Sequence, residues 1–185
     1  MSKEFSAARL DVRAFAQAEG HLQGEAPLSA FGRLAQDAQP EAGQAEALVH
    51  WQADGELVEQ AGGTGDVWLH LHADAVVPMT CQRCLATAPI PLEVNRSFRF
   101  VADEAAAEAE DDDSEEDLLA LSREFDLLEL IEDELLMELP VVPSHETCPE
   151  PVNMQSSDAD FVQASEQKVN PFAVLRGLDV GKSAD

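Results

Sequence analysis

Three cysteines and one histidine hold what chemistry this chain's residues allow. Cys81-Gln82-Arg83-Cys84 sets two thiols on either side of a two-residue spacer. His145-Glu146-Thr147-Cys148 repeats the spacing with an imidazole and a thiol. Thiolate and imidazole are the usual ligands of zinc, and two of them separated by two residues can grip one ion from a tight turn. Cys81, Cys84, His145 and Cys148 are therefore the candidate ligands of one structural zinc ion, a tetrahedral set of three sulfurs and one nitrogen. Such an ion would staple the end of a strand to a loop far along the chain.

The same residues invite other readings. Without metal they are plain thiols beside a surface histidine. A redox dithiol wants Cys81 at the start of a helix, where the dipole lowers its pKa. Pro89 and Pro91 follow too closely for a long helix to begin there. A zinc deaminase wants His-x-Glu ahead of Pro-Cys-x-x-Cys. Here the order is reversed, and Glu146 is adjacent to the histidine. His70 and His72 share one side of a strand with Trp68 and read as solvated groups. Gly62-Gly63-Thr64-Gly65 lacks the Lys-Ser/Thr of a phosphate-cradling loop, and no Gly-x-Ser-x-Gly elbow occurs.

The elements that must position these residues show in the apolar spacing. Phe5, Ala8, Val12, Phe15 and Ala16 predict a helix over residues 4–19, stopped by Gly20. Ser29 is expected to cap a second short helix carrying Phe31, Leu34 and Ala35. Pro40 and Gly43 mark a loop, after which the period becomes two. Residues 47–51 and 56–58 read as short strands around an Asp54-Gly55 hairpin turn, with a second turn at residues 62–65. Val67, Leu69, Leu71, Ala73, Ala75 and Val77 make the clearest strand, ended by Pro78 just before Cys81. Leu92, Val94, Phe98 and Phe100 make another.

Residues 103–117 are mostly Asp and Glu, so 103–124 is expected as an acidic flexible loop. Asp126 then caps a helix, with Glu129 three positions on. Its apolar face is Leu127, Leu128, Leu130, Ile131, Leu135 and Leu136. Pro140 closes it, and Pro143 keeps the chain extended into His145. Asn170-Pro171-Phe172 opens a short helix near the end. The expected fold is α+β: a mostly antiparallel β-sheet core with N-terminal helices and an acidic amphipathic helix packed on it. One domain spans residues 1–150, followed by a polar linker and short helix over residues 151–185.

Charge narrows the partners. The chain has 185 residues and a net charge of -26, with 37 acidic residues against 11 basic. Phosphate repels such a chain, which points to a basic protein surface, not to DNA. Three cysteines cannot all pair with one another, which suits reduced thiols or metal. Met1-Ser2-Lys3-Glu4-Phe5 has no apolar signal core, and no run approaches the roughly twenty apolar residues of a membrane helix. A cytoplasmic protein without membrane contact is expected.

Several segments in order carry a resemblance. Cys81-Gln82-Arg83-Cys84 follows a strand. An acidic helix runs into Leu139-Pro140-Val141-Val142-Pro143-Ser144-His145 and a nearby cysteine, and the chain ends in Asn170-Pro171-Phe172-Ala173-Val174-Leu175. In this the chain resembles the bacterial YceD family, the large ribosomal RNA subunit accumulation proteins, from its first helix to its last. The resemblance implies a cytoplasmic, non-enzymatic role in the synthesis, processing or stability of 23S rRNA, and it brings no catalytic residues. Expected partners are large-subunit ribosomal proteins, assembly factors or pre-rRNA. Arg83, Arg96 and Arg99 near the cysteine pair, and Phe172, Leu175 and Arg176 near the end, are candidate contacts. Two alternatives stay open: a zinc- or thiol-dependent enzyme resting on the cysteines, and an acidic chaperone for one basic ribosomal protein.

Overall fold

Alternating apolar and polar residues over much of the chain build one sheet. In the computed structural model, residues 5–39, 46–59, 65–111, 114 and 116–149 are described. The strands are β1 (His21–Pro27), β2 (Leu48–Val58), β3 (Asp66–Thr80), β4 (Thr87–Val101) and β5 (Asp117–Ala120), and they lie in chain order across the sheet. The first four pair antiparallel, and β5 pairs parallel to β4. The sheet is therefore mixed, within an α+β fold. The described helices are α1 (Val12–Gln17), a 3-10 turn at Leu28–Ala30, α2 (Leu34–Asp37), α3 (Glu104–Glu110) and α4 (Leu127–Met137).

One face of the sheet is the core. Val67, Leu69, Leu71, Ala73, Ala75 and Val77 from β3 are buried there with Leu92, Val94, Phe98 and Phe100 from β4. Val12, Phe15 and Ala16 of α1 and Leu127, Ile131 and Leu135 of α4 join the same cluster. Side chains alternate across a strand, so the intervening residues face away from these helices. Phe15 sets the closest packing. A β-carbon at Gly55 would lie 2.6 Å from its ring, and one at Gly20 only 2.3 Å.

That packing corrects the expected Asp54-Gly55 turn. β2 runs unbroken through both residues, because Gly55 is needed for the close approach of α1. The Gly55 N–H also donates to the Gly20 carbonyl at 2.9 Å. The first helix is shorter than expected. Asp11 caps α1 by accepting from the Ala14 N–H at 3.1 Å, so the helix starts at Val12. Before it, Leu10 and Phe125 exchange backbone hydrogen bonds in an isolated bridge. Ser29 is not a cap. It lies inside the 3-10 turn, and the start of α2 is held instead by Glu132 of α4, which accepts from the Arg33 and Leu34 N–H groups at 2.7 and 3.2 Å.

Further differences follow from local chemistry. β3 continues past Pro78 to Thr80, where Pro78 faces Pro89 near the hairpin end. The stretch expected as an acidic loop contains α3 and β5. Three alanines favour helix there, and Asp103 caps it. No residue of α3 is buried, so its acidic groups stay solvated. β1 carries too few apolar residues to have been read as a strand. The chain divides into two units, Met1–Glu150 and Pro151–Asp185. The expected linker and C-terminal helix, the Pro40–Gly43 loop and most of the turn at 62–65 lie outside the described residues. Among the described residues, no helix is long and apolar enough to cross a membrane.

Candidate metal centre

The two ligand pairs reach one point by different routes. Cys81 and Cys84 sit in the turn of the β3–β4 hairpin, between the facing residues Thr80 and Thr87. Within it, the Cys81 N–H donates to the Ala86 carbonyl and the Leu85 N–H to the Cys81 carbonyl, each at 2.9 Å. Leu85 closes the turn at φ 61°, in the left-handed region. His145 and Cys148 lie on irregular chain after α4, where Pro140 and Pro143 prevent further helix. Gln82 and Arg83 help tie the arms together. The Gln82 N–H donates to the Pro143 carbonyl at 2.9 Å. The Arg83 guanidinium donates to the carbonyl of His145 and, at 3.4 Å, to that of Glu146.

The ligand atoms of Cys81, Cys84, His145 and Cys148 all lie within 4.8 Å of one another. Among the described residues this is the one group of His, Cys, Asp and Glu placed so that it could hold a metal ion. Cys81 Sγ is 3.9 Å from Cys148 Sγ, and Cys84 Sγ is 3.4 Å from His145 Nδ1. Tetrahedral zinc with ordinary bond lengths sets two sulfurs about 3.8 Å apart, and a sulfur and a nitrogen about 3.6 Å apart. The observed separations are close to those edges.

The imidazole is prepared for such a role. His145 Nε2 lies 3.0 Å from the Thr87 carbonyl oxygen. A carbonyl only accepts, so Nε2 carries the hydrogen and Nδ1 turns its lone pair toward Cys84. A backbone carbonyl behind a ligating histidine is the usual way to fix ring and tautomer. The thiols are polarised unequally. Burial alone would raise the Cys81 pKa, but hydrogen bonds from the backbone of Cys84, His145 and Arg83 outweigh it and bring the thiol down to about 5. Burial and the neighbouring Cys84 and Cys81 push Cys148 up to about 11. Cys148 thus holds a proton that a cation would have to displace.

The remaining candidates are placed elsewhere. Arg96 pairs with Asp117 at 3.1 Å and with the buried Glu134 at 3.2 Å. Burial raises the Glu134 pKa against the pull of Arg96. Arg99 donates to Glu110 at 3.1 Å and to Ser114 Oγ at 3.3 Å. Phe172, Leu175 and Arg176 lie outside the described residues. His70 and His72 are on the face of the sheet away from the helices. His70 Nε2 meets Glu56 at 3.0 Å, and its ring stacks on Trp68. Sequence reasoning missed Thr87, Gln82 and Leu85. Their contributions are backbone groups and a backbone angle, which side-chain type does not reveal.

A family model described as "Large ribosomal RNA subunit accumulation protein YceD" matches residues 69–179, more than half of the chain. No solved structure matches it. The match starts inside β3 and takes in the hairpin, both ligand pairs and α4. Residues 1–68, including the first helix that the resemblance had taken in, lie outside it. With the hairpin turn, the acidic helix and the His-Cys arm in that order inside the matched span, the chain belongs to the YceD family of large ribosomal RNA subunit accumulation proteins.

Proposed function

We propose that the chain is a cytoplasmic accessory factor in assembly of the large ribosomal subunit, needed for the synthesis, processing or stability of 23S rRNA. Family membership over residues 69–179 carries this reading. The factor acts by binding, not by catalysis. Two features of the site support that. Cys81 is fully buried and offers a substrate no approach. Four protein ligands would also close a zinc tetrahedron, whereas catalytic zinc keeps one position open. Bound zinc would supply a crosslink between the β3–β4 turn and the chain after α4.

The partner in this reading is a basic protein surface on a large-subunit ribosomal protein or assembly factor, with pre-rRNA reached through it. A net charge of -26 opposes direct binding to RNA phosphates. For Arg96 and Arg99 to hold RNA they would have to leave their carboxylates. The test is the rRNA profile of a strain lacking the protein. The expected result is a fall of 23S relative to 16S rRNA, restored by the wild-type chain. An unchanged ratio would contradict the proposal.

A further inference from the structure

Apolar side chains point to solvent on both arms of the metal centre. Leu85 is 75% exposed, Val141 99%, Val142 62% and, at the end of α4, Met137 61%. The arms meet where the Gln82 N–H bonds Pro143, so Leu85 and the Val141-Val142 pair border one joint. Farther along both arms an open hollow of about 600 Å³ is lined by Pro89, Ile90 and Pro91 together with residues 144–147. Single exposed apolar residues are ordinary, but a group of them at one joint marks an interaction surface.

Leu85 sharpens the point. At φ 61° its β-carbon crowds the backbone, and glycine would close the same turn without that cost. The side chain gains no burial in return. A leucine that is both strained and exposed is best explained by what it touches in a complex. Glu146, on the arm that Arg83 grips, is exposed, the Arg83 guanidinium is turned onto backbone carbonyls, and the chain as a whole carries a net charge of -26. A complementary surface offers apolar residues flanked by Lys and Arg.

We propose that this joint docks a basic amphipathic segment of a partner protein, with Leu85, Val141 and Val142 taking its apolar side chains. The assignment rests on the reading above that the partner is a basic protein. A photoreactive phenylalanine analogue in place of Val141, irradiated in living cells and followed by mass spectrometry, tests it. The expected product is a crosslink to a Lys/Arg-rich protein, weakened about tenfold when Leu85→Gly is added, since a leucine's burial is worth at least one decade of affinity. Leu85→Gly relieves the turn, so its melting temperature should hold or rise and metal should stay bound. Crosslinks to RNA, to a second copy of the chain or to nothing would overturn the proposal. So would a crosslink indifferent to Leu85→Gly, or a variant that melts early with its crosslink intact. Complementation separates the two levels. If the wild-type chain restores 23S rRNA and Leu85→Gly restores it equally, the docking surface falls and the functional reading stands. If deletion never changes 23S rRNA, the functional reading falls first.

Discussion

His145 and the histidines of the open sheet face show how surroundings give one residue type two roles. The chain has five histidines. Four of them, His21, His50, His70 and His72, lie on the face away from the helices, each beside a carboxylate. The separations are 2.6 Å to Asp54, 3.8 Å to Glu25, 3.0 Å to Glu56 and 4.0 Å to Asp74. At His21 and His70 the carboxylate accepts, so the ring nitrogen facing it carries hydrogen and has no lone pair for an ion. His145 instead has the neutral Thr87 carbonyl behind Nε2 and sulfur before Nδ1. Its lone pair is kept and aimed. Abundance of histidine therefore does not locate a metal site. The partner on the second ring nitrogen does, together with the geometry of the other donors.

The sharpest way to break this contrast is Cys81→Ser. Cys81 is the fully buried member of the four, and a structural metal held there would be part of the folding free energy. We expect loss of bound metal and a melting temperature lower by about 10 °C, measured on metal-loaded protein by calorimetry. A variant that keeps both its metal and its melting temperature would dissolve the distinction. Next comes a matched pair. His145→Ala should weaken metal affinity by at least about tenfold and lower the melting temperature by several degrees. His72→Ala, on the open face, should change neither beyond about one degree. Equal effects would mean that the two regions do not differ as described.

Acidity sharpens the comparison further. Cys148, held up at about 11, must surrender its proton to a metal, so affinity should rise with pH and each binding event release protons. A competition titration between pH 6 and 8 reads both. The smallest effect is on the open face. The hydrogen bond to Asp54 raises the His21 pKa above its ordinary 6.5. Burial would raise Asp54, but bonds from Gln52 and His21 outweigh it and lower its pKa below 3.8. Their mutual stabilisation is therefore present between those ordinary values and is lost as pH rises through the raised value of His21. His21→Gln should lower the melting temperature slightly at pH 5.5 and leave it unchanged at pH 9. The pair is exposed, so the shift is near the limit of measurement.

What could be read in the sequence divides along physical lines. The strand in β3 was legible because six alternating apolar residues all bury on one face. The two Cys/His pairs were legible as candidate ligands because cysteine spacing reports local chemistry, although only the fold brings Cys148 within 3.9 Å of Cys81. The Asp54-Gly55 turn misled because Gly55 answers to Phe15, a residue distant in sequence. The cap at Ser29 misled because Glu132, on another helix, supplies the acceptor. Arg83 is a candidate contact by sequence, and only the fold shows its guanidinium bonded to the carbonyls of the opposite arm. The parallel pairing of β5 had no sequence signal at all, since four short residues fix no direction.

The central claim is that Cys81, Cys84, His145 and Cys148 form one metal centre that joins the hairpin to the chain after α4. Native mass spectrometry of the reduced full chain, titrated with zinc, tests it most directly. The prediction is one zinc per wild-type chain at stoichiometric addition, and none for Cys81→Ser or Cys148→Ser at the same concentration. Zinc absent from the wild-type chain, or retained undiminished by both variants, would contradict it.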